Sequence, residues 1–219
     1  ELNCTNFCPY GLPKLSTSIM WDERYSDTDF AYGKTPNEFF KKWINEFEPG
    51  RILMPADGEG RNGVYAATEG WHVTSFDLSH EGKKKAEILA KENNVSLHYM
   101  VGDFEGLQFE ENSFDALGMI YAHFPASKKS VFHQRLATYL KPGGIVILEG
   151  YAKSNLPLVQ ENPAIGGPKD LDMLYSKEEI EDDFKDFEII YSNEELVQLT
   201  EGKYHNGEGS LIRFIGRKK

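Results

Sequence analysis

The first residues whose spacing points to chemistry are glycines at a predicted strand–helix junction. Gly58, Gly60 and Gly63 follow the apolar run Ile52–Met54 with the spacing G-x-G-x-x-G. Glycines at this spacing let the backbone approach a ligand, and the following helix directs its N–H groups towards it. Asp77 ends the next apolar run, where its carboxylate can accept hydrogen bonds from both hydroxyls of a ribose. Dinucleotides and adenosyl ligands both carry that diol, so the spacing leaves both classes of ligand open.

The same residues also have purely structural interpretations. The glycines could form a tight turn without a ligand, and Asp77 could cap a helix that begins after Ser79. At the end of the third predicted strand, the carboxylate of Asp103 could accept a hydrogen bond from an adenine amino group while Phe104 packs on the ring. Here the alternative is a turn aspartate beside a core phenylalanine.

Two histidines are candidate general bases, because histidine titrates near neutral pH. His123 follows the fourth predicted strand, and His205 lies in a late hairpin-like segment. Each could equally be a structural histidine. Arg213 and Tyr151 could hold an anionic substrate or transition state, or could form core or surface pairs. No cluster of ligand-type side chains predicts a metal site.

Alternating apolar and glycine-rich segments predict the elements that position these residues. Strands are predicted over residues 51–55, 71–77, 96–101, 113–121, 145–149, 187–191 and 211–215. Helices are predicted over 36–47, 61–69, 81–93, 128–139 and 176–184, the last with a Ser-x-x-Glu capping box. This alternation indicates an α/β, doubly wound, mostly parallel sheet with helices on both faces. Its ligand crevice would lie at the carboxyl ends of the strands, lined by residues 56–62, Asp77, 102–104 and 121–123.

Composition and charge exclude several classes of partner. The chain has 219 residues and a net charge of −11, from 24 Lys and Arg against 35 Asp and Glu. Such a surface repels phosphate backbones and anionic lipid, so we expect no nucleic-acid or membrane partner. Cys4 and Cys8 are predicted to be free thiols on an irregular arm over residues 1–20. We expect a cytoplasmic monomer or homodimer, with a single domain over 21–219 and a small-molecule substrate.

The pattern as a whole resembles the class I S-adenosylmethionine-dependent methyltransferases. The segments that carry this resemblance are RILMPADGEGRN, VTSFDLS, GDF, FDALGMIYAHF and LKPGGIVILEGYA. A closer similarity is to the small methyltransferases grouped with tellurite-resistance and thiol or thiopurine methyltransferases. It rests on WDERYSDTDFAYGKTPNEFF, on GEGRN, on GGPKDLDML and on EGKYHNGEGSLIRFIGRK. Together these segments cover roughly residues 21–219.

The resemblance implies a seven-stranded Rossmann-like fold whose last strand is antiparallel and lies beside the fifth. It implies S-adenosylmethionine as cofactor and an aromatic lid helix near the sulfonium, although the lid aromatics could instead fix the arm to the core. The residues expected to bind the cofactor are Trp21, Tyr25, Tyr32, Ala56, Gly58, Gly60, Asn62, Asp77, Leu78, Asp103, Phe104 and Tyr121. His123, His205 and Arg213 are the catalytic candidates, and the acceptor is expected to be a soft nucleophile such as a thiol, a chalcogen oxyanion or a halide.

The first motif departs from the class pattern, which usually opens with an acidic residue and has a glycine two positions later. Met54 and Ala56 stand at these positions. The ammonium group of the cofactor then needs another partner, for which Asp57 and backbone carbonyls are candidates. Two alternatives to the methyltransferase remain: an NAD-dependent oxidoreductase, and a protein that binds S-adenosylmethionine without catalysis. NAD is the weaker of the two ligands, because the chain has no second nucleotide-binding half.

Overall fold

Seven strands and seven α-helices alternate along the part of the chain that the computed structural model describes, which is residues 14–219, with side chains from residue 17. The helices are α1 Lys14–Tyr25, α2 Glu38–Ile44, α3 Arg61–Thr68, α4 His80–Glu92, α5 Lys129–Tyr139, α6 Asn155–Glu161 and α7 Lys177–Asp183. The strands are β1 Arg51–Pro55, β2 His72–Asp77, β3 His98–Val101, β4 Phe114–Ile120, β5 Leu140–Tyr151, β6 Phe187–Glu201 and β7 His205–Lys218. Cys4 and Cys8, with their predicted thiol roles, lie outside the described residues.

The strands form one sheet in the order β3-β2-β1-β4-β5-β7-β6. Strands β1 to β5 pair in parallel, whereas β7 is antiparallel to β5 and β6 is antiparallel to β7. The predicted fold class is therefore confirmed, including an antiparallel last strand beside the fifth. Chain order reverses between β1 and β4, so the carboxyl ends of these two strands border the crevice where such sheets bind ligands.

Local side-chain bonds fix where several helices begin. The Asn37 side chain accepts from the Phe40 N–H at 2.9 Å and thereby caps α2. Ser79 caps α4 by accepting from Gly82 N–H at 2.9 Å. The predicted capping box is present at α7, where Ser176 and Glu179 each accept from the other's backbone N–H.

Hydrophobic layers on both faces of the sheet hold it in place. One layer packs α5, α7 and the β3–β4 connection against the sheet and includes Phe104, which stacks on Phe76 with 5.6 Å between ring centroids. The other layer packs α2 and α3 against β1 and β4 and contains Phe40 and Ile44. Within residues 14–219, no helix combines the length and apolar character that crossing a bilayer requires.

Three predicted boundaries were wrong. The irregular arm over 1–20 is helical from Lys14 onward, because α1 continues into the segment expected to be loose. Lys141–Gly144 belongs to β5 rather than to a turn, since Leu140 pairs with Phe114 across a register shift. The last two strands were predicted too short because their polar residues alternate along a hairpin in which pairing runs from Phe187–Lys218 to Glu201–His205.

Candidate functional site

The loop between β1 and α3 is built around backbone that favours glycine. Ala56, Gly58 and Gly60 have φ values of 52°, 54° and 80°. A Cβ on Gly60 would lie 2.5 Å from the Cβ of Ala86 on α4, so a side chain does not fit there. The loop is closed by a hydrogen bond from Gly60 N–H to the carbonyl of Asp57 at 2.8 Å. This conformation presents backbone groups at the carboxyl end of β1, as the glycine spacing predicts.

The Asp77 carboxylate lies at the end of β2, directly against that loop. One oxygen accepts from Gly58 N–H at 3.1 Å and the other from Ser79 N–H at 2.9 Å. Burial raises the pKa of Asp77 to about 6, although the bonds from Ser79 and Gly58 oppose the rise. Asp77 therefore holds the glycine loop and the start of α4, and each oxygen keeps a second lone pair for a ligand.

The carboxylate of Asp57 makes its hydrogen bonds within the protein. Its carboxylate accepts from the Ser75 hydroxyl at 2.7 Å and from Gly63 N–H at 3.3 Å. Burial raises the pKa of this carboxyl to about 7, with Ser75 and Gly63 opposing the rise. These bonds connect the loop to β2 and to the first turn of α3, a structural role that the glycine motif did not indicate.

Helix α1 covers the glycine loop. Tyr25 is buried and its hydroxyl lies so near Gly58 that a Cβ on that glycine would be 2.7 Å away. Trp21 stacks on Tyr25 with 5.6 Å between ring centroids. Asp22 accepts from the Ser79 hydroxyl at 2.6 Å and from Glu81 N–H at 3.1 Å. Tyr25, one of the predicted lid aromatics, thus lies against the loop, with Trp21 stacked on it.

Glu59 anchors the segment that follows α1. It is 4% exposed, and its carboxylate accepts from Ala31 N–H at 2.8 Å and from Lys85 Nζ at 2.8 Å. Lys85 also donates to the carbonyl of Asp29 at 2.6 Å. The glycine loop therefore holds residues 29–32, which we call the lid segment, through a buried carboxylate that sequence reasoning missed.

A half-buried carboxylate, Glu201 at the end of β6, joins the hairpin to the loop. Its oxygens accept from Arg61 at 2.8 Å, from His205 Nδ1 at 3.0 Å and from the Asn37 side chain at 2.9 Å. Asn62, predicted to bind the cofactor, accepts from Asn37 N–H at 2.8 Å. The arginine and asparagine of GEGRN thus join the loop to α2 and the hairpin, and Asn62 is committed to the protein backbone.

His205 lies among aromatic rings from three parts of the fold. Its ring centroid is 4.3 Å from that of Tyr121, 4.5 Å from that of Tyr32 and 5.5 Å from that of Tyr151. Burial lowers the pKa of His205, although its bond to Glu201 opposes the change. The backbone of Tyr121 has a φ of 55°. Its buried hydroxyl is one of the side-chain polar atoms that have no hydrogen-bond partner in the described part of the chain.

Hydrogen bonds within the protein occupy the side chains of His123 and Arg213, the other two catalytic candidates. His123 Nδ1 lies 3.0 Å from the Met173 carbonyl, and Nε2 accepts from Tyr151 N–H at 3.0 Å. Both nitrogens are therefore used by backbone, and burial lowers the pKa of His123 to about 3, which leaves no site for a substrate proton. Arg213 is bound by two carboxylates, Glu149 at 2.6 Å and Glu195 at 2.8 Å, rather than being available to a substrate.

The fold places the residues predicted to lie around the adenine in different environments. Asp103 is exposed in the turn after β3 and accepts from Glu105 N–H at 3.2 Å. Leu78 is half-buried beside Asp77. Phe104 is buried and packs edge-to-face on Phe132, with 4.9 Å between centroids, so its ring belongs to the core.

Across residues 14–219, no group of three or more His, Cys, Asp or Glu side chains could hold a metal ion. A cavity of about 260 Å³ lies at the other end of the parallel strands, near their amino ends, where it is lined by Trp71, Lys141 and Arg217. At the carboxyl ends of the strands, Tyr25 of α1 lies against Gly58, and the rings of Tyr32, Tyr121 and Tyr151 surround His205.

A doubly wound sheet with an antiparallel β6–β7 hairpin, a glycine loop and a carboxylate after β2 defines a Rossmann-like α/β class of protein. The family described as "Methyltransferase domain" matches residues 52–144, which run from β1 to β5. The match contains the glycine loop, Asp77, Asp103 and Tyr121. The predicted resemblance to class I S-adenosylmethionine-dependent methyltransferases is confirmed at this level.

Curated relatives agree with this assignment. A sterol 24-C-methyltransferase of Gibberella zeae is 35% identical over 136 residues, which are 57% of this chain and 36% of that protein. Phosphoethanolamine N-methyltransferase 2 of Caenorhabditis elegans is 33% identical over 117 residues, 51% of this chain and 26% of that protein. The chain spans well under half the length of these two relatives. Residues 52–144 are therefore similar to methyltransferase domains, and S-adenosylmethionine is the cofactor that this similarity indicates.

Solved structures share the fold over nearly the whole chain. One structure is described as "Conversion of a Disulfide Bond into a Thioacetal Group during Echinomycin Biosynthesis". It has a TM-score of 0.72 and 16% sequence identity, and the match covers 93% of this chain and 92% of the other chain. TehB from Haemophilus influenzae has a TM-score of 0.66 and 15% identity, over 92% of this chain and 67% of its own. At such identities the likeness shows the fold alone.

Proposed function

We propose that this protein transfers the methyl group of S-adenosylmethionine to a small-molecule acceptor whose nucleophilic atom is soft, such as a thiol, a chalcogen oxyanion or a halide. One observation carries the proposal. The buried Asp77 carboxylate holds the glycine loop at 3.1 Å within the segment that matches the methyltransferase domain. A carboxylate in that place can receive the ribose diol of an adenosyl ligand.

The residues at the crevice fit this cofactor. Asp77 would bind the ribose, with Leu78 beside it, and Asp103 with the backbone before Phe104 would meet the adenine edge. The methionine end would lie between the Ala56–Gly60 backbone and Tyr121, whose buried hydroxyl lacks a partner in the described chain. When bound, the cofactor supplies a methyl group that the sulfonium already activates. Trp21, Tyr25 and Tyr32 would then cover it and exclude water.

Support for a soft nucleophile comes from the sequence likeness to the tellurite-resistance and thiol methyltransferase group and from the fold likeness to TehB. Once such an atom is ionised, transfer to it needs alignment and desolvation more than base catalysis. The aromatic surroundings of His205 provide a dry site of that kind. We further propose a single domain over residues 21–219 that works in the cytoplasm as a monomer or homodimer.

Another solved structure with this fold, at a TM-score of 0.66 and 16% identity, is described as a [4+2]-cyclase. Because the fold also serves a reaction other than methyl transfer, turnover must be measured directly. The experiment is S-adenosylhomocysteine formation from S-adenosylmethionine with thiols, iodide and selenite, and with a hydroxyl and an amine compound for comparison. We expect turnover with at least one of these acceptors. Binding of S-adenosylmethionine with no turnover on any acceptor, or turnover confined to hydroxyl or amine acceptors, would overturn the proposal.

A further inference from the structure

The Glu201–His205 pair has the geometry of a general base held by a carboxylate. His205 Nδ1 lies 3.0 Å from Glu201, four residues earlier across the β6–β7 turn. A neutral imidazole that donates its Nδ1 proton to a carboxylate carries its lone pair on Nε2. Within residues 14–219, no hydrogen bond reaches Nε2, so this nitrogen is available to a substrate proton.

Glu201 is fixed as an anion. Burial would raise the pKa of Glu201, but the bonds from His205 and Arg61 outweigh it and lower the pKa to about 2. Asn37 occupies the other oxygen at 2.9 Å. Since Arg61 and Asn37 come from α3 and the start of α2, the carboxylate is held from three directions and keeps the imidazole in one orientation.

The surroundings of His205 favour a neutral imidazole. Titratable and charged groups face it from every element packed against it: Arg24 on α1, Tyr32 after α1, Arg61 on α3, Tyr121 and His123 after β4, Tyr151 on β5 and Glu201 on β6. Glu201 is the acidic member that bonds the ring, and it is shared with Arg61. Tyr32 ties the lid to this cluster, because its hydroxyl accepts from Arg24 at 3.0 Å.

We infer that Glu201 positions His205 as the base for a thiol acceptor that is protonated before it reacts. This rests on the proposed function and narrows its acceptor class. A thiol with a pKa near 8.5 is mostly protonated at neutral pH, and only its thiolate is a good nucleophile. A halide carries no proton, and an oxyanion is already ionised. Of these three acceptor classes, only the thiol needs a base to remove its proton.

The step balances without a further reactant. The S–H proton of the acceptor passes to His205 Nε2 as the sulfur attacks the methyl carbon. The new S–CH₃ bond forms while the bond between that carbon and the sulfonium sulfur breaks, and its electron pair leaves neutral S-adenosylhomocysteine. His205 then returns its proton to solvent when the lid segment opens.

The test compares two thiols of different acidity: an alkyl thiol that is protonated at neutral pH and an aromatic thiol that is already ionised. His205→Asn should lower kcat/KM for the alkyl thiol by about 10²-fold or more, the usual worth of a general base. The aromatic thiol should keep its turnover within about threefold, and S-adenosylhomocysteine affinity should not change. Ser176→Ala, at the distant α7 cap, is the control for a general loss of stability.

Glu201→Gln separates positioning from structure. A carboxylate stabilises the imidazolium, so its loss lowers the pKa of His205, and the acidic limb of the pH profile of kcat/KM should move to lower pH while alkyl-thiol turnover falls. Equal losses for both thiols in both variants, with an unmoved acidic limb, would overturn the inference. Turnover of iodide or selenite with none for either thiol would also overturn it while the proposed function stands. No turnover with any acceptor would instead defeat the proposed function.

Discussion

Substitution of Asp77 separates its two roles, which are holding the glycine loop and binding the ribose of the cofactor. Asp77→Ala leaves Gly58 N–H and Ser79 N–H without their acceptor. Each buried donor that loses its partner costs about 1–3 kcal/mol. Water can take the place of the carboxylate and restore part of the lost hydrogen bonding, so the free energy of unfolding should fall by roughly 2–4 kcal/mol for the two donors together. Because Asp77 is buried and not simply at the rim, a change in stability is expected together with a change in binding.

Asp77→Asn is the sharper variant. Its amide oxygen can replace one acceptor, but its NH₂ group must face the other backbone donor, and the charge is lost. Losing hydrogen bonds to a charged group costs about 1.5–3 kcal/mol, which corresponds to affinity for S-adenosylhomocysteine about 10- to 150-fold weaker. Calorimetric titration measures that affinity, and urea unfolding measures stability in parallel.

The control is Ser176→Ala, which removes the cap of α7 at a cost of about 0.5–2 kcal/mol in stability. This variant should bind S-adenosylhomocysteine normally. If Asp77→Asn loses stability but binds no worse than Ser176→Ala, then Asp77 is only structural and the ribose argument is refuted.

The pH dependence gives an independent check on Asp77. Burial raises its pKa to about 6, so the carboxylate that receives the ribose hydroxyls is formed only above that pH. Affinity should be level above pH 7 and fall below pH 6 by up to tenfold per unit. In the Asp77→Asn variant this fall should disappear. For stability the sign is opposite: the raised pKa favours folding at low pH, and that contribution is lost as pH rises from about 4 to 6.

Two further substitutions test the parts that position the site. Gly60→Ala should lower the free energy of unfolding by at least about 2 kcal/mol, because its Cβ would lie 2.5 Å from Ala86. The control Gly143→Ala has nearly the same φ but open space around the new Cβ, so it should cost only about 1 kcal/mol. Equal losses of stability in chemical unfolding would show that backbone strain alone matters. Glu59→Gln breaks a buried ion pair with Lys85 and should destabilise the protein by about 3–5 kcal/mol, with faster amide hydrogen exchange at Ala31 and Tyr32. Unchanged exchange at these two amides would show that Glu59 does not hold the lid segment.

The sequence predicts the sheet well and the buried polar network poorly. Apolar runs and glycine stops are local signals, so the strands of the parallel half and the carboxylate after β2 follow from them. Arg61 and Glu201 are far apart in the chain, and only the order of β6 and β7 in the sheet brings them together. Glu201 has one local signal, its spacing of four from His205, but that spacing becomes meaningful only across a hairpin turn.

His123 shows why residue type alone misassigns function. It follows β4 at the expected crevice, yet backbone from β5 and from the turn before α7 uses both of its nitrogens. Arg213 is similar, because β5 and β6 each place a carboxylate beside it. Neither set of partners can be read from the neighbouring sequence, since all come from elements distant in the chain.

Titration calorimetry with S-adenosylmethionine, S-adenosylhomocysteine and NAD measures whether the glycine loop and Asp77 bind an adenosyl sulfonium cofactor. This mode of binding predicts one site per chain for each of the two adenosyl ligands and no measurable heat with NAD. Binding of NAD with none of S-adenosylmethionine or S-adenosylhomocysteine would contradict it.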